Sequence, residues 1–418
     1  MNKAAVILMA GLGTRMKSKK PKVLHKVSGQ CLADYVVHAA SATGACSIIG
    51  VIGAQAELVR EHFKDKIQYA LQEKQMGTGH AMQMAIPYLK DYCGALLVLC
   101  GDAPLISASI LESLISYHQT QKAAITVLSG IMDDPSHYGR VCKDLSGNIL
   151  RIVESKECTA DEYQIKEINS GIYCFSWPEV EFCLKDLPLH IEKNEYFLTD
   201  IISIAIKRGL KVQSFTSIDP NVALGVNSQA ELSKIGSIMR KNIMNMHMDN
   251  GVAIVDPDNT YIDSNVEIGQ ETVIYPYTVI ENGVKIGQNC KVGPFAHLRS
   301  GTELKDFAEI GNFVEVKNSV VASFTKAKHL TYLGDACIGE NVNVGAGTIT
   351  ANYDGKHKHK TYIEDGAFIG SGTILVAPVS VGKKGITGAG AVITKGHNVP
   401  EGETVIGIPA RLYKKNKK

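Results

Sequence analysis

Three features are missing or weak in this sequence: paired cysteines, long apolar runs and an excess of one charge. Its ten cysteines include no CxxC pair, which indicates reduced core residues in a cytosolic protein. No apolar run approaches the roughly 20 residues that are needed to span a membrane. A net charge of +2 gives no general attraction to nucleic acid or to an anionic membrane. We therefore expect a cytoplasmic protein that binds neither.

The two termini do not change this interpretation. Lys3 precedes a short apolar run, as in a signal peptide, but the run lacks a convincing cleavage site and continues into TRMKSKKPK. The last residues, KKNKK, are expected to form a solvated basic tail. A length of 418 residues favours two or three domains.

A branched aliphatic residue recurs at every sixth position over a long stretch of the second half. The positions are Ile262, Ile268, Ile274, Ile280, Ile286, Val292, Leu298, Leu304, Ile310 and Val316. Helices repeat about every 3.6 residues and strands about every 2, so this period fits neither. It fits a parallel β-helix, in which short strands coil around a triangular prism and one aliphatic side chain per hexad points inward.

The first half alternates buried-strand runs with helical stretches. AAVILMA, SIIGVIG, ALLVLCGD and AAITVL are strand-like, whereas ADYVVHAASATG and SILESLISYHQTQK have helical spacing. This predicts an α/β domain with a mainly parallel sheet over residues 1–226. A connecting helix is predicted over 227–250, with Asn227 or Ser228 as its cap, followed by a β-helix domain over 251–418.

The six-residue register is interrupted twice. It slips around 317–337, resumes at Ile338, and breaks again before Ile363. Polar and basic residues cluster at these breaks, including His329 and the loop YDGKHKHK at 353–360. Because insertions in a solenoid form loops on its faces, we expect the chemistry of this half to lie in the interruptions.

A glycine-rich segment follows the first predicted strand. It reads LMAGLGTRM over 8–16, and PKVL follows at 21–24. Glycines let the backbone approach a polyphosphate closely, and Arg15 and Lys22 supply compensating charge. The spacing matches neither the dinucleotide fingerprint nor the Walker motif. The combination resembles the signature of sugar-1-phosphate nucleotidylyltransferases.

Further motifs follow in the order that this family shows. Asp102 ends a predicted buried strand, where it could simply cap the next helix. The resemblance implies instead that Asp102 and Asn227 bind Mg²⁺, a hard cation that prefers oxygen ligands. It also implies nucleotide or sugar contacts from Leu8, Met9, Ala10, Gly11, Lys22, Gln72, Gly77, Thr78, Cys100, Asp102, Gly139, Glu154, Asn169 and Asn227.

Four strings in the second half are more specific still: GPFAHLR at 293–299, GNFVEVK at 311–317, KHLTYLGD at 328–335 and NVGAGT at 343–348. They closely resemble the bacterial bifunctional N-acetylglucosamine-1-phosphate uridylyltransferases and glucosamine-1-phosphate acetyltransferases, and the resemblance covers nearly the whole chain. It implies that acetyl-CoA acetylates glucosamine-1-phosphate. UTP would then convert the product to UDP-N-acetylglucosamine, a cell-wall and lipopolysaccharide precursor, and release pyrophosphate.

Acetyl transfer to an amine needs a base, because an ammonium group is not nucleophilic, and histidine is suited to this. Any of the 13 histidines chosen blindly is better explained as structural, but His329 lies in the family motif. The resemblance assigns Arg299 and Lys317 to the substrate phosphate and Tyr332 and Asn343 to the sugar. It assigns acetyl-CoA to Ala346, Asn352, Tyr353, Ser371, Ala389 and Arg411.

Two points stay open within this resemblance. His357 and His359 could bind a metal, although we favour a loop that contacts the cofactor's phosphates through Lys358. The family also implies a left-handed coil and a homotrimer with acetyl-transfer sites between subunits, whereas parallel crossovers are in general right-handed.

Two other hypotheses compete with the bifunctional enzyme. One is a monofunctional nucleotidylyltransferase whose β-helix serves only for oligomerisation, and the other is a non-catalytic scaffold. Arg15, Lys22 and Asp102 argue against the scaffold, and His329 argues against the monofunctional enzyme.

The chain departs from the family pattern at several positions. Met9 and Leu12 replace a usual alanine and lysine, and Cys100 stands where an aromatic residue is common. The span 227–299 is shorter than the family norm by about two coils, which predicts a shorter prism. The basic residue that the family brings to CoA from its C-terminus is not at the matching place, so Arg411 or the lysines after it would replace it.

Overall fold

The computed structural model describes residues 2–135 and 137–413, and the chain divides into two compact units, Met1–Gly236 and Ser237–Lys418. The division falls inside a long helix, Gln229–Asp249. Ser228 Oγ accepts from the backbone N–H of Glu231 at 3.2 Å and caps this helix, as predicted for one of two candidates. The KKNKK tail lies outside the described residues.

The first unit contains strands and helices in alternation. Its strands are β1 (Lys3–Leu8), β2 (Lys26–Val27), β3 (Gln30–Cys31), β4 (Ser47–Ile52), β5 (Gln68–Leu71), β6 (Gly94–Cys100), β7 (Ile125–Ile131), β8 (Arg140–Lys143), β9 (Ile149–Val153), β10 (Glu167–Trp177) and β11 (Val212–Ser217). Its helices are α1 (Leu32–Ala42), α2 (Ala56–Phe63), α3 (Gly77–Ala85), α4 (Ala108–Gln121), α5 (Ala160–Tyr163), α6 (Glu181–Lys185) and α7 (Asp200–Lys207), and α8 (Gln229–Asp249) follows.

The main sheet has the order β11-β7-β10-β6-β1-β4-β5. Neighbouring strands are parallel except at β10, which is antiparallel to both β6 and β7. Alternate residues of β1 belong to two separate cores, with Ala4 and Val6 in one and Ala5 and Ile7 in the other. Helices therefore cover both faces, which explains the continuous apolar runs and confirms the predicted α/β class.

The sheet places its functional loops at one edge. β1 and β6 are parallel neighbours, and Leu8 pairs with Cys100 at their carboxyl ends. The glycine-rich loop follows β1, and Asp102 follows β6. Both segments therefore meet above the same edge, where open α/β sheets bind their ligands.

The second unit is a stack of short parallel strands. They are β12 (Ala253–Ile254), β13 (Tyr261–Ile262), β14 (Glu267–Ile268), β15 (Val273–Ile274), β16 (Val279–Ile280), β17 (Lys285–Ile286), β18 (Lys291–Val292), β19 (His297–Leu298), β20 (Glu303–Leu304), β21 (Glu309–Lys317), β22 (Val320–Val321), β23 (Lys326–Gly334), β24 (Ala336–Ile338), β25 (Asn343–Val344), β26 (Ile349–Ala351), β27 (Thr361–Ile363), β28 (Phe368–Ile369), β29 (Ile374–Val376), β30 (Val379–Val381), β31 (Ile386–Thr387), β32 (Val392–Ile393), β33 (Thr404–Ile406) and β34 (Arg411–Leu412).

These strands form three ladders, as a triangular prism requires. Paired positions in the regular part are 18 residues apart, as in Lys291 with Glu309. The predicted inward aliphatics form one continuous core that runs from Ile254 to Val405. The predicted parallel β-helix is therefore confirmed, while its left-handed coil stays a prediction from the resemblance.

The structure corrects where the repeat is interrupted. Val321, Ala327 and Leu333 are fully buried at six-residue spacing, so the stretch that contains His329 is regular. The prediction that His329 sits in a break is wrong, because the small inward Ala327 did not match the branched-aliphatic pattern. The slip comes from two coils that are one residue short, since only 17 residues separate Glu303 from Val320, and Val320 from Cys337.

The irregularities share one corner of the prism. Asn318 and Asp335 occupy the two shortened corners, with φ of 46° and 50°. The 353–360 loop is inserted at the same corner, two coils after Asn318. Ile349 pairs with Ile374, so this coil has 25 residues where a regular coil has 18. Among the described residues, no helix is long and apolar enough to cross a membrane.

Candidate functional site

A cavity of about 640 Å³ lies at the carboxyl edge of the α/β sheet. Twelve of the fourteen predicted nucleotide- or sugar-binding residues line it, together with Arg15: Leu8, Met9, Ala10, Gly11, Lys22, Gln72, Gly77, Thr78, Cys100, Asp102, Glu154 and Asn227. Leu12, Gln75, Glu195 and Phe197 also line it. The sequence thus located this cavity from its motifs.

Lys22 is the centre of a charged cluster in this cavity. Its ammonium group donates to a carboxylate oxygen of Asp102 and to Asn227 Oδ1, the latter at 3.1 Å. The Lys22 and Asp102 side chains are only 15% and 17% exposed. Two side-chain oxygens from separate segments therefore accept hydrogen bonds from one positive charge. Asp102 is not the cap of α4, because Ser107 is, so that alternative is wrong.

The glycine-rich loop needs glycine where it passes Lys22. Gly13 has φ of +62°, and a Cβ at this position would lie 2.9 Å from Lys22 Cβ. A larger residue would push Lys22 away from the cavity. Arg15 is exposed on the short turn Thr14–Met16 that follows.

Gln72 connects two segments that the resemblance assigns to nucleotide or sugar contacts. Its Nε2 donates to the Gly77 carbonyl at 3.0 Å, and the Gln72 carbonyl accepts from Gln75 Nε2 at 3.1 Å. Leu198 N–H donates to Thr78 Oγ1 at 3.1 Å, which joins the start of α3 to the 195–200 segment. These bonds hold one wall of the cavity together.

Another wall carries a half-buried acid, Glu154. Glu154 Oε1 accepts from Thr199 Oγ1 at 3.2 Å. Burial raises the pKa of Glu154, although the hydrogen bond from Thr199 opposes this. Gly139 and Asn169, two predicted contacts, do not line the cavity. They contact one another instead, since Asn169 N–H donates to the Gly139 carbonyl at 2.9 Å.

Cys100 lines the cavity between these walls. Its Sγ donates to the Gly171 carbonyl at 3.4 Å. Burial raises the pKa of this thiol to about 12, and the Asp102 charge adds to the effect. Because the thiolate is the reactive form, Cys100 is a packing residue rather than a nucleophile.

In the β-helix, a basic cluster forms at the irregular corner. The interaction with Lys358, followed by the charge of Arg299, lowers the pKa of Lys317, so these three cations are close neighbours. Arg299 donates from Nη1 to Glu315 at 2.9 Å. Three cations at one corner make a site for an anion. The 353–360 loop thus brings Lys358 to the predicted sugar-phosphate residues, a contact that sequence reasoning missed.

His329 lies on β23 above β21. Its Nδ1 is 2.9 Å from Asn312 Oδ1, and the two residues are paired in the ladder. Tyr332 is paired with Glu315 on the next face, beyond the corner formed by Phe313 and Leu330, whose φ angles are positive. His329 and the basic cluster are therefore carried by different faces of one prism.

Asn352, a predicted acetyl-CoA contact, is buried and engaged. Its Nδ2 donates to a carboxylate oxygen of Asp335, and Asn318 Nδ2 donates to the other oxygen at 2.5 Å. Asp335 is only 8% exposed. A buried carboxylate thus fixes two amides across successive coils, and its role could not be read from the hexad pattern.

The other predicted acetyl-CoA residues follow a column along the prism. Gly372 N–H donates to the Ala346 carbonyl and Gly390 N–H to the Ser371 carbonyl, both at 2.7 Å, so Ala346, Ser371 and Ala389 occupy successive coils. Tyr353 is 61% exposed in the inserted loop. Arg411 pairs with Ile406 in the antiparallel β33–β34 hairpin, on the coil beyond Ala389.

The sequence leaves the loop histidines open between a metal site and a cofactor-binding loop, and the structure gives a protein partner for one of them, His359. His359 Nε2 is 2.7 Å from Asp354 Oδ2, and Asp354 also accepts from two backbone N–H groups. In the described part of the chain, the group of three metal-type ligands lies elsewhere, at Cys31, Asp34 and His62. Asp34 and Cys31 form the reciprocal cap of α1, which explains that cluster without an ion.

Two family models match the chain. The nucleotidyl transferase model matches residues 4–220, and the bacterial transferase hexapeptide model, with six repeats, matches residues 283–318. The first covers the unit with the cavity. The second covers coils that carry Arg299, Glu315 and Lys317.

Curated relatives match over nearly the full chain. A "Bifunctional protein GlmU" of Acetivibrio thermocellus is 42% identical over 95% of this chain and 93% of its own length. Proteins with the same name from Clostridioides difficile and Thermoanaerobacter pseudethanolicus are 41% and 43% identical, each over 99% of this chain and 97% and 96% of their lengths. The alignment with the Clostridioides difficile protein extends over 447 positions, more than the 418 residues of this chain. That relative therefore contains insertions with respect to this chain.

Proposed function

The chain belongs to the family of bifunctional GlmU proteins, and on this premise we propose which reactions its two units perform. It is an enzyme with a nucleotidyltransferase domain and a hexapeptide-repeat transferase domain. The β-helix unit acetylates glucosamine-1-phosphate with acetyl-CoA. The α/β unit transfers UMP from UTP to the N-acetylated product. The observation that carries the proposal is the convergence of Lys22, Asp102 and Asn227 in the sheet-edge cavity.

The nucleotidyl transfer is an in-line displacement at phosphorus. An oxygen of N-acetylglucosamine-1-phosphate attacks the α-phosphorus of UTP, and pyrophosphate leaves. Such a step needs positioning and neutralisation of charge more than a covalent group. Lys22 is held in the cavity and Arg15 stands at its mouth, so both can neutralise the triphosphate.

The residues around Lys22 fit a divalent cation. Asp102 and Asn227 offer a carboxylate and an amide oxygen, the donors that Mg²⁺ prefers, and both already face one positive charge. A bound Mg²⁺ would supply charge neutralisation at the phosphates. Lys22 would then donate to phosphate oxygens rather than to these two side chains.

The sugar and base contacts follow from the walls of the cavity. Gln72, Gly77 and Thr78 form the wall suited to the uracil, with backbone groups that hydrogen bonds hold in place. Glu154 and the 195–199 segment form the wall suited to the sugar hydroxyls. Gly139 and Asn169 do not line this wall and are bonded to one another instead.

Acetyl transfer uses His329 as the proton acceptor. The sugar amine attacks the thioester carbonyl, the C–S bond breaks, and CoA leaves as a thiol. His329 is exposed and free to meet a substrate amine. Tyr332 and Asn343 bind the sugar, and Arg299, Lys317 and Lys358 bind its phosphate. Their mutual proximity supports this role, because three like charges favour an anion between them.

Acetyl-CoA binds along the column of small residues. Ala346, Ser371 and Ala389 leave a shallow groove on successive coils, with Tyr353 beside it and Asn352 beneath it. Arg411 reaches the far end of this column through the β33–β34 hairpin. It therefore supplies the positive charge for a CoA phosphate that the usual family position lacks here.

The β-helix units assemble as a homotrimer in the cytoplasm. Tyr277, Phe295 and Phe313 stack face to face along one corner, with ring centroids 4.9 and 5.2 Å apart, and are about half exposed. A continuous exposed aromatic column supports burial against another copy. It also supports a shared active site, since His329 and the basic cluster are on different faces of one chain.

One assay tests this function. The purified protein receives acetyl-CoA, glucosamine-1-phosphate, UTP and Mg²⁺, and both free thiol and pyrophosphate are measured. We expect both products. Pyrophosphate release from N-acetylglucosamine-1-phosphate without any thiol release would establish the monofunctional alternative, and the absence of both would leave a scaffold.

A further inference from the structure

The catalytic histidine has a fixed partner on the coil beneath it. Asn312 and His329 are paired in the β21–β23 ladder, and Asn312 Oδ1 lies 2.9 Å from His329 Nδ1. Within residues 2–135 and 137–413, no hydrogen bond to His329 Nε2 is found. One ring nitrogen is thus engaged by the protein, and the other faces outward.

The local backbone is built to keep this contact. A Cβ on Gly311 would lie 2.0 Å from the Lys328 carbonyl, so glycine lets the two strands approach closely next to the pair. Phe313 and Leu330 follow with φ of 58° and 45°, so both strands turn the prism corner at the same place. The His329 carbonyl also accepts from Thr331 Oγ1 at 2.7 Å. The two strands are therefore held close together beside the Asn312–His329 pair.

The proposed cofactor column begins one coil above His329. Gly347 N–H donates to the Leu330 carbonyl at 3.0 Å, which sets Ala346 one coil above His329. Asn312, His329 and Ala346 thus occupy successive coils, and the small Ala346 begins the column that continues through Ser371 and Ala389. The proposed base and the proposed cofactor residues are therefore neighbours along the prism.

The identity of the engaged atom decides the tautomer. A carbonyl oxygen only accepts, so a neutral imidazole bonded to Asn312 Oδ1 must carry its proton on Nδ1. Nε2 then holds a lone pair and can act as a base. The reverse tautomer would present an N–H to the amine and could not remove a proton.

We propose that Asn312 is a positioning residue for acetyl transfer, which holds His329 in the Nδ1–H tautomer with Nε2 open to the sugar amine. This inference rests on the acetyltransferase function proposed above. The amine nitrogen attacks the thioester carbon, its proton passes to Nε2, and the C–S bond breaks. The proton on Nε2 then goes to the departing CoA sulfur, so that CoA leaves as a thiol and His329 is neutral again.

The pH profile of thiol release distinguishes positioning from a structural role. Asn312→Asp places a carboxylate against Nδ1–H, which stabilises the imidazolium and raises the pKa of the base. The acidic limb of kcat/KM should therefore move up by about one pH unit. Asn312→Ala should lower kcat by about 10- to 100-fold with the limb unmoved. Asn312→Ser keeps an oxygen acceptor and should lose less than the alanine variant.

The other charges near His329 stay constant across these variants. On the same two strands, Lys326 and Lys328 both pair with Glu309, at 3.4 and 2.7 Å. Glu315 and Lys317 lie beyond the corner on β21. The control Asn289→Asp adds the same charge to another coil, and its limb should coincide with the wild-type limb.

The possible outcomes separate this inference from the function on which it rests. If the wild type releases no thiol, the acetyltransferase proposal fails and takes this one with it. If the wild type is active but all Asn312 variants have the wild-type kcat and the wild-type acidic limb of kcat/KM, only the inference is overturned. Equal losses in the Asp, Ala and Ser variants with no movement of the limb would also overturn it, because they indicate a purely structural role. A thermal unfolding curve of each variant, compared with that of the wild type, checks that the β-helix unit is folded.

Discussion

The two units of this enzyme build their sites in opposite ways. In the α/β unit, loops from neighbouring parallel strands enclose a cavity, and its central Lys22 and Asp102 side chains are mostly shielded from water. In the β-helix, the proposed site residues stand on the faces and at one corner of the prism, and His329 is exposed. A twisted open sheet creates a crevice where its loops diverge, whereas a prism with short corners has none.

This difference has a consequence for how each activity depends on assembly. The cavity collects its cations, acids and base-reading loop from one chain, so one chain can hold both substrates. A flat face needs a second surface to exclude water and to reach the substrate from the other side. The exposed aromatic column and the separated placement of His329 and Lys317 follow from the same geometry.

The largest expected effect comes from removing the base of acetyl transfer. His329→Ala should lower thiol release by about 1,000-fold, since general-base catalysis contributes about 10²- to 10⁴-fold. Pyrophosphate release from N-acetylglucosamine-1-phosphate should stay within twofold, or roughly experimental error, because the cavity lies in the other unit. Equal loss of both products would break the comparison by showing that the two sites are one system.

The reciprocal change is made in the cavity. Lys22→Ala removes a shielded cation that faces Asp102 and Asn227, and it should lower pyrophosphate release by about 100- to 1,000-fold. Thiol release should not change. Lys291→Ala, which removes an exposed lysine from a regular coil, serves as the matched control and should leave both products unaffected.

A buried histidine makes the α/β unit sensitive to acid. His118 is 1% exposed in the α/β unit, bonded to Thr126 at 2.8 Å, and burial lowers its pKa to about 4. Because the unfolded chain binds a proton near pH 6.5 and the folded unit does not, its contribution is complete above pH 6.5 and falls as pH drops toward 4. Between pH 7 and 5 the loss is about 2 kcal/mol.

Calorimetry checks this contribution. The transition of the α/β unit, identified by its shift with UTP, should move to lower temperature between pH 7 and 5 in the wild type. His118→Gln should be less stable at pH 7 but should lose less over the same interval. An identical loss in both proteins would show that another group is responsible.

The smallest effect is expected for a single phosphate contact on the exposed corner. Lys317→Ala removes one of three clustered cations, and it should raise the KM for glucosamine-1-phosphate about tenfold with a smaller change in kcat. Lys358→Ala should behave alike if the inserted loop binds the same phosphate. If its KM for acetyl-CoA rises instead, the loop contacts the cofactor, as the sequence first suggested.

The sequence predicted the architecture better than the interruptions of the repeat. Apolar runs buried on both faces predicted β1, β4, β6 and β7, and the motifs located nearly all of the cavity. The inward Ala327 hid the regular spacing from Val321 to Leu333, because the pattern was sought in branched aliphatics. Gly139 and Asn169 matched family positions, yet they do not line the cavity and are bonded to one another instead.

Periodicity, motif order and composition by themselves determined the two domain types, the β-helix and the nucleotide-binding edge of the sheet. These depend on the spacing of residues along the chain, which a sequence displays directly. Only the tertiary structure decided which side chains meet across coils: Asn312 with His329, Asp335 with Asn352 and Asn318, and Lys358 with Lys317. The residues of each pair are 17 or more positions apart in the chain. Their contact depends on the strand register and on corners shortened by one residue. Such a shortening moves a side chain to another place on the prism but leaves the composition and the apolar pattern of the sequence almost unchanged.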